Sequence, residues 1–173
     1  MALQSRLSFE MKKLEKEKED LAKSGIFISS DEDDIKVIYV VIFGSENTPY
    51  EYCPFFFKLE IPDTYPYNPP KATFMTSDHK TRFNPNLYVE GKVCLSILGT
   101  WSGPSWTSAM SLTTIILAIQ SIMDDNPLKN EPGFNNGSNP QHGKYRKIVE
   151  YFNYKDFVIR TITDCQNDKL PNY

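Results

Sequence analysis

Cysteine and histidine are scarce in this 173-residue chain, which holds three cysteines and two histidines. The cysteines stand far apart, at positions 53, 94 and 165, and no Cys-x-x-Cys pair occurs. An odd count at wide spacing argues against both a disulfide framework and a zinc site. We therefore expect free thiols in a reducing compartment and no bound metal.

Long apolar runs and basic stripes are also missing. No apolar segment reaches the ~20 residues that cross a bilayer, and the charged N-terminal residues cannot form the apolar part of a signal peptide. The formal net charge is −3, and the absence of a basic stripe argues against nucleic acid as the main partner. The sequence predicts a cytoplasmic or nuclear protein that binds neither membrane nor nucleic acid.

The residues that are present predict a folded core. Hydrophobic residues make up 40% of the chain, with ten Tyr and eleven Phe among them. A chain of this length would bury roughly 70% of its extended surface without help from a disulfide or a metal. We expect one domain over residues 1–173, in a monomer.

The order of the hydrophobic patterns predicts an α+β fold. Apolar residues recur at helical spacing over residues 3–23, and Gly25 is placed to cap that helix in the left-handed conformation. Four segments rich in β-branched or aromatic residues follow, at 25–29, 35–43, 53–61 and 71–75. Their order and short connections predict a four-stranded antiparallel meander.

A segment without periodicity, from residue 77 to about 107, follows the last predicted strand. A loop of this length inside a compact domain is usually functional. An amphipathic central helix then starts at a Thr107 or Ser108 cap and continues to about Met123. Two C-terminal helices are predicted over residues 141–151 and 153–166.

Cys94 lies inside the long loop, in the stretch RFNPNLYVEGKVCLSIL. A cysteine in such an apolar run can be an inert small hydrophobe, which is the interpretation that also fits Cys53 and Cys165. It can instead be a nucleophile, although an ordinary thiol is mostly protonated at neutral pH. His79 and His142 lie outside any hydrolase signature, which disfavours a thiol hydrolase. A nucleophile that accepts an acyl group from another thioester needs no permanent base, because thiol exchange is nearly thermoneutral.

Three motifs in the right order resemble the ubiquitin-conjugating enzymes over residues 7–157. The stretch TPYEYCPFFFKLEIPDTYPYNPPKATFMT resembles the second and third strands and the proline-rich loop of that family. Asn84-Pro85-Asn86, with Cys94 eight residues further on, resembles its His-Pro-Asn motif and active-site cysteine. The stretch WTSAMSLTTIILAIQSIM resembles its Trp-Ser-Pro-Ala stretch and the helix that follows. The resemblance implies the fold predicted above, with the long loop as the active-site loop.

The sequence departs from the common family pattern at several positions. Asn84 replaces the usual His, Ser96 stands where many members have Asp, and Ser108 replaces Pro. The segment GTWSGPSW lengthens the gap between Cys94 and Trp106, and NEPGF follows the central helix. These features are most similar to the Z-type conjugating enzymes, or to the related domains of giant ubiquitin-conjugating proteins. We expect the Asn84 substitution to change local hydrogen bonding and to leave the activity intact.

The resemblance implies roles for the residues around Cys94. Cys94 would carry the C-terminal glycine of ubiquitin, or of a ubiquitin-like modifier, as a thioester. Asn86 would steady the loop and donate to the oxyanion during lysine attack, and Pro85 would set the turn. Glu131 would lie beside the incoming lysine, with Asn130 as a competitor for that place.

The resemblance also implies contacts with partner proteins. Lys12 and Lys13 would meet the activating enzyme, although a solvated helix face is the alternative interpretation. Leu117 would contact the donor ubiquitin, or else belong to the core. Tyr67, with Ser108 and Ala109, would contact a ligase, and packing among prolines is the alternative for Tyr67. Of the two tryptophans in the lengthened segment, one is expected under the active-site loop and the other at a partner contact.

The implied function is that of a ubiquitin-conjugating enzyme. It would accept the modifier from an activating enzyme and pass it to a substrate lysine, usually with a ligase. No cofactor would be bound, since the upstream activating enzyme consumes the ATP. A non-catalytic module of the same fold that only binds ubiquitin or a partner is the alternative, against which the presence of both Cys94 and Asn86 argues.

Overall fold

The computed structural model describes residues 2–76, 79–135 and 139–155. Two single-turn 3-10 helices, at Ser96–Leu98 and Pro127–Asn130, interrupt the loops on either side of the central helix. The predicted α+β class is confirmed. The helices and strands, in chain order, are α1 (Ala2–Lys23), β1 (Ile26–Ser30), β2 (Val37–Phe43), β3 (Pro54–Glu60), β4 (Lys71–Phe74), α2 (Leu112–Ile122) and α3 (Gln141–Asn153).

Helix α1 buries one narrow stripe of its surface. Leu7, Leu14 and Leu21 recur every seven residues and are all buried, whereas most of the Lys and Glu between them are exposed. The helix ends where Gly25 takes φ = 76°, a left-handed conformation that costs little without a Cβ. The predicted extent of this helix and its cap are confirmed.

The four strands form one antiparallel sheet in the order β1-β2-β3-β4, which confirms the predicted meander. Alternation along β2 decides which face is buried, because Ile38, Val40 and Ile42 are inaccessible while Tyr39 and Phe43 are exposed. The buried face packs into a single core with the stripe of α1 and the buried side chains of α2.

Helix α2 begins later than predicted. Its N-cap is Ser111, and the Ser111 hydroxyl and the Thr114 side chain each bond the other residue's backbone N–H. The buried carboxylate of Glu10 accepts a further hydrogen bond from the Leu112 N–H at 3.2 Å. The predicted caps Thr107 and Ser108 are wrong, because those residues lie in the exposed segment before this start.

Helix α3 continues through Asn153, so the predicted break at residue 152 is wrong. The buried Asn153 side chain donates to the Pro49 carbonyl at 2.7 Å, which fixes the end of the helix against the turn between β2 and β3. The second predicted C-terminal helix, over residues 153–166, lies almost entirely outside the described residues, which end at residue 155. Cys165 also lies outside them. No helix among the described residues is long and apolar enough to span a membrane.

Candidate active site

Cys94 follows a short extended segment that lies beside the edge strand β4. The Phe74 N–H donates to the Gly91 carbonyl at 2.7 Å, and Thr73 pairs with Lys92 in an isolated bridge. Gly91 has φ = 92°, and a Cβ there would lie 2.9 Å from the Phe74 carbonyl oxygen, so only glycine fits. Cys94 itself is 1% exposed and precedes the 3-10 helix at Ser96–Leu98.

Asn86 holds the backbone of Cys94 through two hydrogen bonds. The Cys94 N–H donates to the Asn86 carbonyl at 2.8 Å. The Asn86 side-chain Nδ2 donates to the Cys94 carbonyl at 2.6 Å. The other side-chain atom, Asn86 Oδ1, is buried and has no hydrogen-bond partner among the described residues. In this structure the Asn86 side chain therefore braces the backbone of Cys94.

Asn84 fills the histidine position of the family motif with a fully bonded side chain. Its Oδ1 accepts from the Asn86 N–H at 2.8 Å. Its Nδ2 donates to the Tyr50 hydroxyl at 2.8 Å and to the Ile122 carbonyl at 2.7 Å. The substitution thus builds its own network, which ties the Asn86 turn to the end of α2.

Tyr50 completes this network and was not predicted as a site residue. Its hydroxyl donates to the Phe83 carbonyl at 2.8 Å while it accepts from Asn84. Burial of the side chain raises the pKa of Tyr50 well above its ordinary value, so the hydroxyl keeps its proton and remains a donor. Tyr50 is one of ten tyrosines, and only its position in the TPYEY stretch distinguishes it in the sequence.

Arg82 brings Glu131 to the same turn. Arg82 Nη2 donates a hydrogen bond to the Pro85 carbonyl at 2.5 Å. The same nitrogen forms an ion pair with the Glu131 carboxylate at 3.6 Å. The guanidinium group stacks over the Tyr88 ring, 4.3 Å from its centroid. Asn130, the competitor of Glu131, donates to the Ile122 carbonyl at 3.5 Å. Glu131 is thus linked through Arg82 to the turn before Cys94, and Asn130 shares the Ile122 carbonyl with Asn84 of the same turn.

The segment inserted between Cys94 and Trp106 folds back over the 3-10 helix. A Cβ added to Gly103 would lie 3.0 Å from the Ser96 Cβ, so Ser96 is covered by this segment. Trp106 is half-buried, and its Nε1 donates to the Pro66 carbonyl at 2.7 Å. The centroid of its ring lies 5.9 Å from the centroid of the Tyr65 ring. Trp101 is 42% exposed.

Four of the residues with predicted ligase or donor-ubiquitin contacts lie in the open. Tyr67 is 78% exposed, so the alternative of packing among prolines is wrong. Leu117 is 44% exposed on α2, so the alternative of a core residue is wrong. Ser108 and Ala109 are exposed in the segment before α2.

The two lysines of α1 have different surroundings. Lys12 is exposed. Lys13 is half-buried, because its Nζ donates to the Ser111 hydroxyl at 3.0 Å and lies 3.8 Å from the Glu17 carboxylate. Lys13 thus joins α1 to the cap of α2, and only Lys12 presents a fully available charge.

Neither histidine has the surroundings of a catalytic base. His142 is buried, with its Nδ1 2.5 Å from the Asn126 Oδ1, and His79 is exposed, with its Nδ1 3.1 Å from the Val89 carbonyl. Across the described part of the chain, no three His, Cys, Asp or Glu side chains are grouped as metal ligands would be.

Comparison with known sequences places this site in a family. The family model described as "Ubiquitin-conjugating enzyme" matches residues 6–152. The chain is 46% identical over 149 residues to the ubiquitin-conjugating enzyme E2 Z of Homo sapiens, an alignment that covers 85% of this chain and 41% of that protein. It is also 39% identical over 140 residues to the probable ubiquitin-conjugating enzyme protein 17 of Caenorhabditis elegans, covering 75% of this chain and 19% of that protein. The chain thus spans about two fifths or less of the length of these curated relatives.

Solved structures agree with the sequence comparison. A Toxoplasma gondii ubiquitin conjugating enzyme E2 domain superposes with a TM-score of 0.63 at 29% identity, over 84% of this chain and 97% of that one. The H. polymorpha ubiquitin conjugating enzyme Pex4p superposes with a TM-score of 0.70 at 22% identity, over 89% of this chain and 97% of that one, and shows the same fold. The match of the family model to most of the chain, together with the 46% identity, is decisive. The chain belongs to the ubiquitin-conjugating enzyme family.

Proposed function

We propose that this protein accepts ubiquitin or a ubiquitin-like modifier as a thioester on Cys94 and transfers it to a substrate lysine. The observation that supports this most is the pair of hydrogen bonds between Asn86 and the Cys94 backbone, at 2.8 and 2.6 Å. These bonds support the proposal because a side-chain amide donor lies beside the cysteine that we propose as the nucleophile, in a chain that belongs to this family.

Loading is a thiol–thioester exchange, in which the modifier's acyl group passes from the cysteine of the activating enzyme to Cys94. The Cys94 thiolate attacks the modifier's carbonyl carbon, a new C–S bond forms, and the activating enzyme's cysteine leaves as a thiolate. The activating enzyme made its own thioester at the expense of ATP, so this chain needs no cofactor for the step. Since the leaving and attacking groups are both thiolates, the exchange is close to thermoneutral.

Discharge makes a greater demand on the site. The lysine amine attacks the thioester carbonyl, negative charge builds on the oxygen, and collapse forms the amide and releases the Cys94 thiolate. The amine loses a proton in the process, and the Glu131 carboxylate, held beside the turn by Arg82, would position the amine and favour that loss.

Asn86 is the side-chain donor available to the oxyanion. Its Nδ2 now donates to the Cys94 carbonyl, and its Oδ1 has no bond among the described residues that rotation would break. Turning the amide toward the thioester would therefore exchange one hydrogen bond for a stronger one to a charged oxygen.

The exposed residues would serve the partner proteins. Lys12 would meet the activating enzyme, with Lys13 beside it as a structural link to α2. Tyr67, Ser108 and Ala109 would form the ligase contact, and Leu117 would contact the bound modifier. We place the protein in the cytoplasm or nucleus, where these partners act, and we propose that it works as a monomer.

A second candidate function follows from the burial of Cys94. A thiol in a residue that is 1% exposed cannot be reached by the tail of another protein until neighbouring groups move. That burial favours a module of this fold that binds ubiquitin, or a partner, without chemistry.

Incubation with activating enzyme, ATP and ubiquitin tests the proposal. Loading predicts a band shift that reductant reverses in the wild type, and in Cys94→Ser a shift that resists thiols, because an oxygen ester replaces the thioester. Cys53→Ser is the matched control, because Cys53 is also a free, buried cysteine, and it should load like the wild type.

Three outcomes would contradict the proposed function. If no modifier of the ubiquitin class loads, the binding module is favoured. If the ubiquitin thioester is consumed without any shift, the protein is a thiol hydrolase. If Cys94→Ser still gives a thiol-sensitive shift, the nucleophile is another cysteine.

A further inference from the structure

The peptide groups that flank Cys94 are held from two opposite sides. In an extended segment, successive peptide groups point to opposite edges. The N–H and C=O of Cys94 face Asn86, as described above. The two groups that face the other way belong to Val93 and Leu95, and both meet the hydroxyl of Thr100. The Leu95 N–H donates to Thr100 Oγ1 at 2.9 Å, and Oγ1 donates to the Val93 carbonyl at 2.7 Å.

The inserted segment is what brings Thr100 to this place. Gly99 ends the 3-10 helix with φ = 68°, a left-handed turn, and its N–H donates to the Ser96 carbonyl. The chain therefore reverses within one turn, and the Thr100 N–H comes back to the Leu95 carbonyl at 3.3 Å. The hydrogen bonds from the Leu95 N–H and to the Val93 carbonyl then hold the hydroxyl at the flank of Cys94.

We propose that Thr100 is a positioning residue for the nucleophile, a role that rests on the proposed function of Cys94. Asn86 holds one edge of the Cys94 segment and Thr100 holds the other. If the Asn86 amide turns to the oxyanion during discharge, its bond to the Cys94 carbonyl is lost. The Thr100 hydroxyl then keeps the segment in register while Asn86 is occupied.

This arrangement makes Thr100 more important for discharge than for loading. In loading, both edges are held and the activating enzyme supplies part of the surroundings. In discharge, the Thr100 edge carries the alignment of the thioester with the amine, and a misplacement of about 1 Å can cost about 10²-fold in rate. The effect should appear in the rate at saturating lysine, with little change in the lysine concentration that gives half of that rate.

Two substitutions of the same residue isolate the hydroxyl. Thr100→Val keeps the branched shape and removes the hydroxyl, and Thr100→Ser keeps the hydroxyl and removes the methyl group. Valine has nearly the same shape and size as threonine, and Thr100 is only partly buried, so valine fits the space. We expect single-turnover discharge to free lysine to slow by about tenfold or more in Thr100→Val, and to stay within about threefold of the wild type in Thr100→Ser.

Two kinetic results would overturn the proposal. Thr100→Val discharging within about twofold of the wild type would remove the hydroxyl from the alignment of Cys94. Thr100→Ser being as slow as Thr100→Val would assign the effect to packing of the methyl group. Rates are expressed per folded molecule, and Thr100→Ala replaces Thr100→Val if the latter does not fold.

Amide hydrogen exchange in the unloaded protein separates this proposal from the proposed function. The Leu95 amide should exchange faster in Thr100→Val and return to the wild-type rate in Thr100→Ser, and this measurement needs no modifier. Unchanged Leu95 exchange would show that the Thr100 hydroxyl does not hold the Cys94 segment, even if the protein loads. Faster exchange in a protein that never loads would confirm that the hydroxyl holds the segment, and would refute its role in transfer together with the proposed function.

Discussion

Replacing Asn86 by alanine would separate the two tasks for which its side chain is placed. The substitution removes the Nδ2 that lies 2.6 Å from the Cys94 carbonyl in a buried site. An abandoned buried acceptor costs about 1–3 kcal/mol of stability. For a chain of this size each kcal/mol lowers the melting temperature by about 2–4 °C. We therefore expect a fall in melting temperature of about 2–12 °C in a protein that still folds.

The kinetic effect should be concentrated in discharge. An oxyanion donor contributes about 2.7–4 kcal/mol to the transition state in known oxyanion holes. Even if the modifier or a partner offers another donor, we expect Asn86→Ala to discharge at least about tenfold more slowly, a loss of ~1.4 kcal/mol or more. Loading should change much less, because its thiolate exchange takes place within the surroundings supplied by the activating enzyme.

Single-turnover discharge of the preloaded thioester to free lysine, measured beside loading rate and melting temperature, decides between the two tasks. Asn84→Ala is the matched control. It removes the Asn84 Oδ1 that accepts from the Asn86 backbone N–H at 2.8 Å, and it leaves the Asn86 side-chain amide in place. We expect it to lower stability more than Asn86→Ala does and to slow discharge less.

Two results would refute this reasoning. Discharge of Asn86→Ala at the wild-type rate would remove Asn86 from the mechanism. Equal losses in loading, discharge and stability would show that Asn86 only braces the Cys94 segment.

Two further predictions concern the lengthened segment and α1. Trp106→Ala should destabilise the protein by about 3 kcal/mol, the low end for a buried aromatic, because the side chain is half-buried. Trp101→Ala should change the melting temperature by no more than about 2 °C. Equal shifts of the melting temperature in the two variants would contradict this prediction. Lys12→Glu should slow loading at low salt without loss of stability, and the effect should shrink as salt screens the charge over about 10 Å at 0.1 M. Lys13→Glu should in addition lower the melting temperature, since Lys13 donates to Ser111. Salt-independent loading of Lys12→Glu would place Lys12 on a merely solvated face.

Much of the fold could be predicted from local pattern. The heptad spacing of Leu7, Leu14 and Leu21 specifies one buried stripe of α1, and the alternation in β2 specifies which side chains enter the core. Both patterns follow from the periods of helix and strand, so a window of a few residues is enough to recognise them. The start of α2 is only partly local, because the Ser111–Thr114 capping box lies within four residues, whereas the Glu10 carboxylate that accepts from the Leu112 N–H stands 102 positions away in the chain. No local window contains that contact.

The candidate site divides in the same way. Which residues are candidates follows from the amino-acid sequence, since the Asn86–Cys94 spacing and the order of the motifs are properties of the chain. What those residues contact became clear from the three-dimensional structure. It revealed that Asn84 is satisfied by Tyr50 and the end of α2, that Leu117 is exposed, and that Thr100 holds the far side of Cys94. Hydrogen bonds between residues distant in the chain, or across a reversal such as that at Gly99, depend on where folding brings donors and acceptors together. Residue type and periodicity specify the groups that can bond, and packing of the whole chain selects the pairs.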